Sequence, residues 1–428
     1  MSNGHAILSM VGRGARAGLV IVGVSAIIFI LGNVLAYYAF PQFVRPMPRT
    51  VFDAVVWPRT GKGQELLPKI FSGRWDDVIK YHDLSPGFAM HPTLSFITAP
   101  VKNDHFVIGA EGVRLEPGWN DEFVKHILTK DTGVIFLLGG STVLGHGVGA
   151  DHTISYFMNN SHGSRATVMN FGSQAYDQHQ AIEKLLYLLR GGYRPEIVVL
   201  LDGWNDIMGM ARSNLRTRDK LVYHGFATNR GDIAFTPGDR IDDRKHLRLF
   251  LESLPLYRLM AISQRDPVSL DSIHQGRDSF TQGFDFYEAE FVFNHWVEFA
   301  DRDRDLLKEQ IVENLSENQK FIQALARGFG FRAYSFYQPI GLLDPNNPFV
   351  GDSARTARGY DYVVDMDKVV REAIATGQLP MIDISQRLRD GEGRNYVDVA
   401  HYSPTANKII ADEIIGRINP RSYPERTR

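Results

Sequence analysis

The chain contains no cysteine. That excludes disulfides, thiolate catalysis and Cys-ligated zinc, and it excludes a lipid anchor carried on cysteine. It leaves the compartment open, because a chain of 428 residues can build a core that needs no covalent staples. An excess of one charge is missing as well. There are 47 Lys and Arg against 49 Asp and Glu, a formal net charge of −2. No basic tract offers itself to a phosphate backbone, so nucleic acid is not an expected partner. Internal repeats and low-complexity tracts are also absent from the sequence. What is present, a hydrophobic content of 44%, suits one large globular domain with insertions, or two domains.

One apolar run stands out. Residues 17–40 read "AGLVIVGVSAIIFILGNVLAYYAF", without a charged side chain. That is long enough for a helix to span a bilayer. Arg13 and Arg16 precede it, and Tyr37 and Tyr38 sit where an interfacial aromatic belt belongs. Arg45 and Arg49 follow on the other side, so the charge asymmetry is weak. The reading is a cytoplasmic stretch over residues 1–16, an uncleaved transmembrane signal anchor over 17–40, and the bulk of the chain outside the cytoplasm, periplasmic or at the cell surface. Val34-Leu35-Ala36 also reads as a small-residue cleavage site, so a removable signal peptide competes with the anchor. A buried core helix fits less well, because the run is terminal and apolar all round.

Residues 41–130 contain Pro and Trp and have weak periodicity. They read as a linker and N-terminal extension, with short strands near "HFVIGAEGVRL". Residues 131–420 carry a βα rhythm. Strands are expected over 134–138, 167–170, 197–201, 332–337 and 381–384, each short, apolar and bounded by Gly, Pro or Asp. Helical segments alternate with them. "QHQAIEKLLYLLRGG" stops on glycine. "LLKEQIVENLSENQKFIQALARGFG" sets Leu307, Ile311, Leu315, Ile322, Leu325 and Phe329 along one face. "DMDKVVREAIATG" precedes the fifth strand. "SPTANKIIADEIIGRI" opens with Ser403 as N-cap and Pro404 at the first helical position. The pattern predicts an α/β fold: a flavodoxin-like, doubly wound parallel sheet of about five strands in the order 2-1-3-4-5, with helices on both faces. Residues from about 207 to 296 break the rhythm and read as an insertion.

In such a sheet the carboxyl ends of the strands meet on one edge, where ligands bind. Four polar positions lie just past predicted strands or ahead of the last helix. Ser141 follows the first strand in "VIFLLGGSTVLGHG". Gly172 follows the second in "VMNFGS". Asn205 follows the third in "LLDGWND". Asp398 and His401 lie in "YVDVAHYSP". A serine hydroxyl becomes a nucleophile when a base takes its proton. His401 is suited to that near neutral pH. Asp398, three residues earlier, can accept the other imidazole N–H and fix the tautomer. The backbone N–H groups of Ser141 and Gly172 and the Asn205 amide are candidate donors to an oxyanion.

Taken together these blocks resemble the SGNH (GDSL-type) hydrolase superfamily, in which the four letters stand for Ser, Gly, Asn and His. "GGST", "NFGS", "GWND" and "DVAHYSP" occur in family order and near family spacing, over roughly residues 133–417 less the insertion. The third block and the terminal Asp-x-x-His are the most specific. The resemblance implies an esterase or acyltransferase fold, with Ser141, Asp398 and His401 as triad and Ser141, Gly172 and Asn205 as the oxyanion hole. Gly140 departs from the pattern, standing where many members have Asp; that Asp is not the triad acid. "FVIGAEGVRL" ahead of "VIFLLGGST" resembles a segment found in a membrane-anchored bacterial branch. In the alginate-acetyltransferase-like branch the Asp and His precede the serine. Here they follow it, in the esterase-like order.

The expected activity is therefore hydrolysis of an O-acyl ester, acetyl among the candidates, on a carbohydrate or lipid-like substrate, through an acyl-serine intermediate. Two alternatives stay open: an O-acyltransferase that modifies an extracellular polysaccharide, and a non-catalytic carbohydrate-binding or assembly protein on the same fold. No cofactor and no metal is expected. The expected partners are an acylated small-molecule or carbohydrate substrate and, through the N-terminal run, a membrane; the sequence gives no oligomeric state. Other polar residues have plainer readings. Asp202 and Asp206 have no histidine at ligand spacing and suit turn roles, with Asp206 capping a helix near Ile207. His146, His152, His162 and His179 suit surface or loop roles, with contact to substrate left as an alternative for one of them. Trp204 is a pocket wall or packing residue. Gln338, just past the fourth strand, either points into the site or ends the strand. The glycines of "GGSTVLGHGVG" are no P-loop, since no Gly-Lys-Ser/Thr follows.

Overall fold

In a computed structural model of the chain, the residues described are 24–38 in part, 88–212 and 304–418 with short gaps. The first of these groups belongs to a compact unit separate from the one that carries the sheet. Its residues 24, 25, 27–35 and 38 are helical. Val24, Ile27, Ile28, Phe29, Ile30, Leu31, Val34, Leu35 and Tyr38 expose their side chains. The rest of the expected anchor lies outside the described residues. Among the described residues no helix is long and apolar enough to cross a membrane.

The larger unit begins with a hairpin, β1 (Phe88–His91) and β2 (Ser95–Thr98), and a short antiparallel pair, β3 (Val101–Lys102) and β4 (Val107–Ile108). Helix α1 (Asp121–Leu128) starts at Asn120, whose side chain accepts the Phe123 N–H. The βα series follows: β5 (Val134–Gly139), α2 (Ser141–Leu144), α3 (Ile154–Asn159), β6 (Thr167–Asn170), α4 (Gln178–Arg190), β7 (Ile197–Asp202) and α5 (Trp204–Arg212). It resumes with α6 (Arg304–Phe329), β8 (Arg332–Tyr337), α7 (Asp352–Arg355), α8 (Tyr360–Ala375), β9 (Ile382–Asp383) and α9 (Pro404–Ile418).

The five strands β5 to β9 pair in parallel in the order β6-β5-β7-β8-β9. Renumbered within the sheet this is 2-1-3-4-5, the order the sequence predicts. Alternate residues supply the two faces, as the period of two requires. Ile135, Leu137, Val199 and Leu201 pack under α3 and α9 with Ile154, Met158, Ile410 and Ile414. Val134, Phe136, Leu138, Val198 and Leu200 pack on the other side with Val124, Leu185, Leu188 and Ile322. Both faces are buried, so the strands are continuous apolar runs rather than alternating ones. The fifth strand is shorter than the expected 381–384, because Met381 N–H turns back to Leu379 O and leaves the ladder.

The helices follow their end signals. Asp177 caps α4 through the Gln180 N–H, and α4 stops ahead of Gly191 and Gly192. Ser403 Oγ accepts the Ala406 N–H at the start of α9. On α6, Leu307, Ile311, Leu315 and Ile322 are buried as expected. Phe329, at the last residue, is exposed and lies 5.1 Å from the Arg194 guanidinium instead. Gln319 takes a buried position on that helix because its amide donates to Gln178 Oε1 at 3.1 Å. The expected insertion begins inside α5, which runs on to Arg212; residues 213–303 lie outside the described set.

The N-terminal extension joins the sheet edge. Arg114 bridges Ile108 on one side and Asn170 at the end of β6 on the other. Two residues further on, Glu116 is buried and accepts from Asn159 Nδ2 at 2.6 Å. Burial pushes its carboxyl up to about 7. A raised acid binds its proton in the folded state over a pH range where the unfolded chain has released it. Stability therefore falls as pH rises from about 4.5 to about 7. Glu116→Gln keeps an acceptor for Asn159 and removes the titration. Urea unfolding at pH 5 and pH 8 is expected to show a pH dependence smaller by roughly 2–3 kcal/mol in this variant; equal dependence in both proteins refutes the assignment.

Candidate active site

Strand β5 ends on Gly139, whose φ is 152°. A side chain there has no room: a Cβ would lie 2.4 Å from Leu201 O on the neighbouring strand. Gly140 follows and caps α2, so Ser141 becomes the first residue of a short helix at the carboxyl edge of the sheet. An N–H at that position has no acceptor within its own helix. Gly140 also has a steric role. A Cβ at 140 would lie 2.4 Å from Asn205 Nδ2 and 2.8 Å from Tyr176 O. A residue without a side chain at this position thus goes with a close approach of Asn205.

His401 and Asp398 arrive from the far end of the chain. Their loop is closed by its own backbone: Val397 N–H donates to His401 O, and Ser403 N–H to Asn395 O, both at 2.9 Å. Asp398 is buried. Its Oδ1 accepts the backbone N–H groups of Ala400 (2.7 Å) and His401 (2.6 Å). Its Oδ2 lies 2.6 Å from His401 Nδ1. His401 Nε2 in turn lies 2.8 Å from Ser141 Oγ. With Nδ1–H donated to the carboxylate, Nε2 is left to accept from the hydroxyl. Residues 260 positions apart in sequence thus form one continuous hydrogen-bonded chain, as the spacing of the four blocks predicts.

The expected oxyanion donors fare differently. Asn205 sits in the first turn of α5, and Asp206 is likewise inside the helix rather than its cap. Asn205 Nδ2 donates one hydrogen to Tyr176 O at 2.7 Å; a primary amide has a second to offer. Gly172 corrects the sequence reading. Its N–H donates to Asn170 Oδ1 at 3.0 Å. A Cβ there would fall 2.2 Å from Leu144 N. Gly172 is glycine so that β6 can pack against the backbone of α2, and its N–H is already spent. Further along the same loop Ala175 has a φ of 58°, an uncommon conformation for a residue with a Cβ and one that recurs at functional sites.

The two pocket candidates resolve as supports. Gln338 is buried, accepts from Thr142 Oγ1 at 2.9 Å and donates its own N–H to Asp202 O. It ties the end of β8 to the residue after Ser141. Trp204 packs, half-buried, against the cluster of Ile207, Leu307 and Tyr362. Asp206 has a structural role other than the expected cap: Oδ1 accepts Gln178 N–H and Oδ2 accepts Gly203 N–H. Asp202 and Asp177 lie in the same buried region; burial raises all three carboxyls, and repulsion from neighbouring carboxylates adds to it at Asp202 and Asp206.

Three contributors carry no motif of their own. His146 stacks on His401, ring centroids 4.3 Å apart at 39°. Gln174 Nε2 lies 3.0 Å from His146 Nδ1. Arg114 is fully buried and donates to Leu144 O (2.6 Å), Gly145 O (2.5 Å) and Val148 O (2.7 Å), the loop on which His146 sits. Its guanidinium also lies 4.0 Å over the Phe106 ring. The only sequence signals were a histidine between two glycines and an arginine in an apolar segment. Of the other histidines, His152 pairs with Asp151 at 2.8 Å, His179 lies on α4, and His162 lies outside the described residues.

No family model matches the chain, and no curated protein matches it. Solved structures do. One is an acetyl xylan esterase, at 10% identity and a TM-score of 0.33, over 67% of this chain and 99% of that one. Another is an alpha/beta hydrolase enzyme from the metagenome of Lake Arreo, Spain, at 9% identity and 0.33, over 68% and 96%. A third is a member of the lipolytic protein G-D-S-L family from Veillonella parvula DSM 2008, at 10% identity and 0.29, over 67% and 98%. The functional reading rests on the site geometry and not on these likenesses.

Proposed function

We propose that this chain is a serine ester hydrolase of the SGNH type. The observation that carries the reading is the unbroken relay Asp398–His401–Ser141, with links of 2.6 and 2.8 Å. Ser141 Oγ attacks the ester carbonyl as its proton passes to His401 Nε2. The tetrahedral oxyanion accepts from the Ser141 N–H and the Asn205 amide. Such donors are typically worth about 100- to 1,000-fold each in rate. Collapse expels the alcohol, which takes the proton back from His401. Water then enters and gives a proton to the same nitrogen as its oxygen bonds the acyl carbon; collapse releases the acid while Ser141 Oγ takes that proton back from His401.

The substrate class we infer is an O-acyl ester, O-acetyl included, on a carbohydrate or lipid-like alcohol. The uncharged run at 17–40, whose described residues are helical with exposed apolar side chains, supports a membrane anchor with the hydrolase outside the cytoplasm. A fluorophosphonate probe tests the chemistry directly. It is expected to label the folded protein at Ser141 and to leave Ser141→Ala unlabelled. A folded wild-type protein that takes no label overturns the proposal in favour of a binding protein on this fold.

A further inference from the structure

We propose that His146, His401 and Asp398 form a binding site for a zinc-like divalent cation, and that its occupancy switches the hydrolase off. The cation site stands on ligand geometry alone; only the switching rests on the esterase reading above. One ligand atom from each of the three residues lies within 4.8 Å of the other two, and no other such group of His, Asp or Glu occurs among the described residues. Donors around a tetrahedral zinc, with bonds of about 2.0–2.1 Å, stand roughly 3.4 Å apart. To admit the ion, the Asp398 Oδ2–His401 Nδ1 pair, now 2.6 Å apart, opens while His146 moves in. Two imidazoles and one carboxylate suit zinc and its late first-row neighbours, not magnesium or calcium, which take oxygen ligands. Three protein ligands also leave a fourth position for water.

A second shell is within reach. Gln174 lies 3.0 Å from His146 Nδ1 through its amide; with the amide turned to present its oxygen, it would accept Nδ1–H and leave Nε2 for the metal. Arg114 pins the loop of His146 through three backbone carbonyls. His146 is thus presented to His401 rather than left to find it. The metal competes with catalysis for one imidazole. His401 must be oriented by Asp398 through one nitrogen and accept the Ser141 proton on the other. With zinc on either nitrogen it cannot do both. The chain has no cysteine, so no thiolate diverts the ion.

The test uses the full chain without a histidine tag, stripped with EDTA. Zinc is titrated against a chromophoric chelator for the wild type, for His146→Phe, which keeps a ring against His401 but no ligand, and for His146→Gln. Circular dichroism confirms that each variant is folded. The wild type is expected to hold one zinc equivalent more tightly than both variants, by about 10- to 100-fold. Equal stoichiometry and affinity in all three proteins overturns the site. Hydrolysis is then followed with and without zinc, each protein against its own EDTA rate. Inhibition of the wild type at concentrations that spare the variants supports the switch; inhibition at the same concentration in all three overturns it. A protein that binds zinc as expected but cleaves no ester leaves the site standing and refutes the esterase reading.

Discussion

Ser141→Ala is expected to lower the hydrolysis of a chromogenic acyl ester by on the order of 10⁴- to 10⁶-fold in kcat. The substitution removes one oxygen from the start of α2. It leaves the backbone N–H of residue 141, the Asn205 amide and the packing of the strand edge as they were. Thermal unfolding should hardly move, which separates loss of chemistry from loss of structure. The residual rate should stay above that of water, because oxyanion donors and binding act without the nucleophile. A fall of less than about tenfold would mean that the hydroxyl at 2.8 Å from His401 Nε2 is not the attacking group.

Asp398→Asn is expected to cost about 10⁴-fold in kcat. The carboxylate holds His401 in the tautomer that leaves Nε2 free to accept, and it stabilises the imidazolium that forms on proton transfer. An asparagine amide turned toward Nδ1 donates instead of accepting, and so selects the wrong tautomer. The other carboxylate oxygen accepts the N–H groups of Ala400 and His401. Asn can keep that oxygen only by turning its NH₂ to the ring. The variant should therefore fold. Retention of more than a tenth of wild-type kcat would sink the relay.

Much of this site was legible in the sequence because its parts are local. Each of Ser141, Asn205 and the Asp398–His401 pair sits where a buried apolar run stops or a helix begins, and strand order brings such ends together. Gly172 was misread because glycine has two uses. It brings an N–H close to a ligand, or it lets two backbones touch, and only the lack of room for a Cβ against Leu144 tells which. Ala175 escaped notice because its left-handed φ is imposed by the loop rather than announced by residue type. Gln338 could be placed at a strand end but not aimed, since its partner Thr142 is 196 residues away. Arg114 was hidden by its class: a fully buried guanidinium that donates to main-chain carbonyls serves atoms every residue has, so no side-chain pattern marks it.

The arginine has a consequence for how the molecule can be divided. A chain shortened to begin at Gly133 would keep every strand of the five-stranded sheet and every member of the relay. It would also strip three carbonyls of their donor and uncover the edge of β6 at Asn170. The turn beneath the nucleophile would lose its fastening, and Val134, Phe136 and Leu138 would lose Val113, Leu115, Val124, Ile127 and Leu128 from their face of the sheet. What braces the site therefore lies upstream of the first recognisable signature.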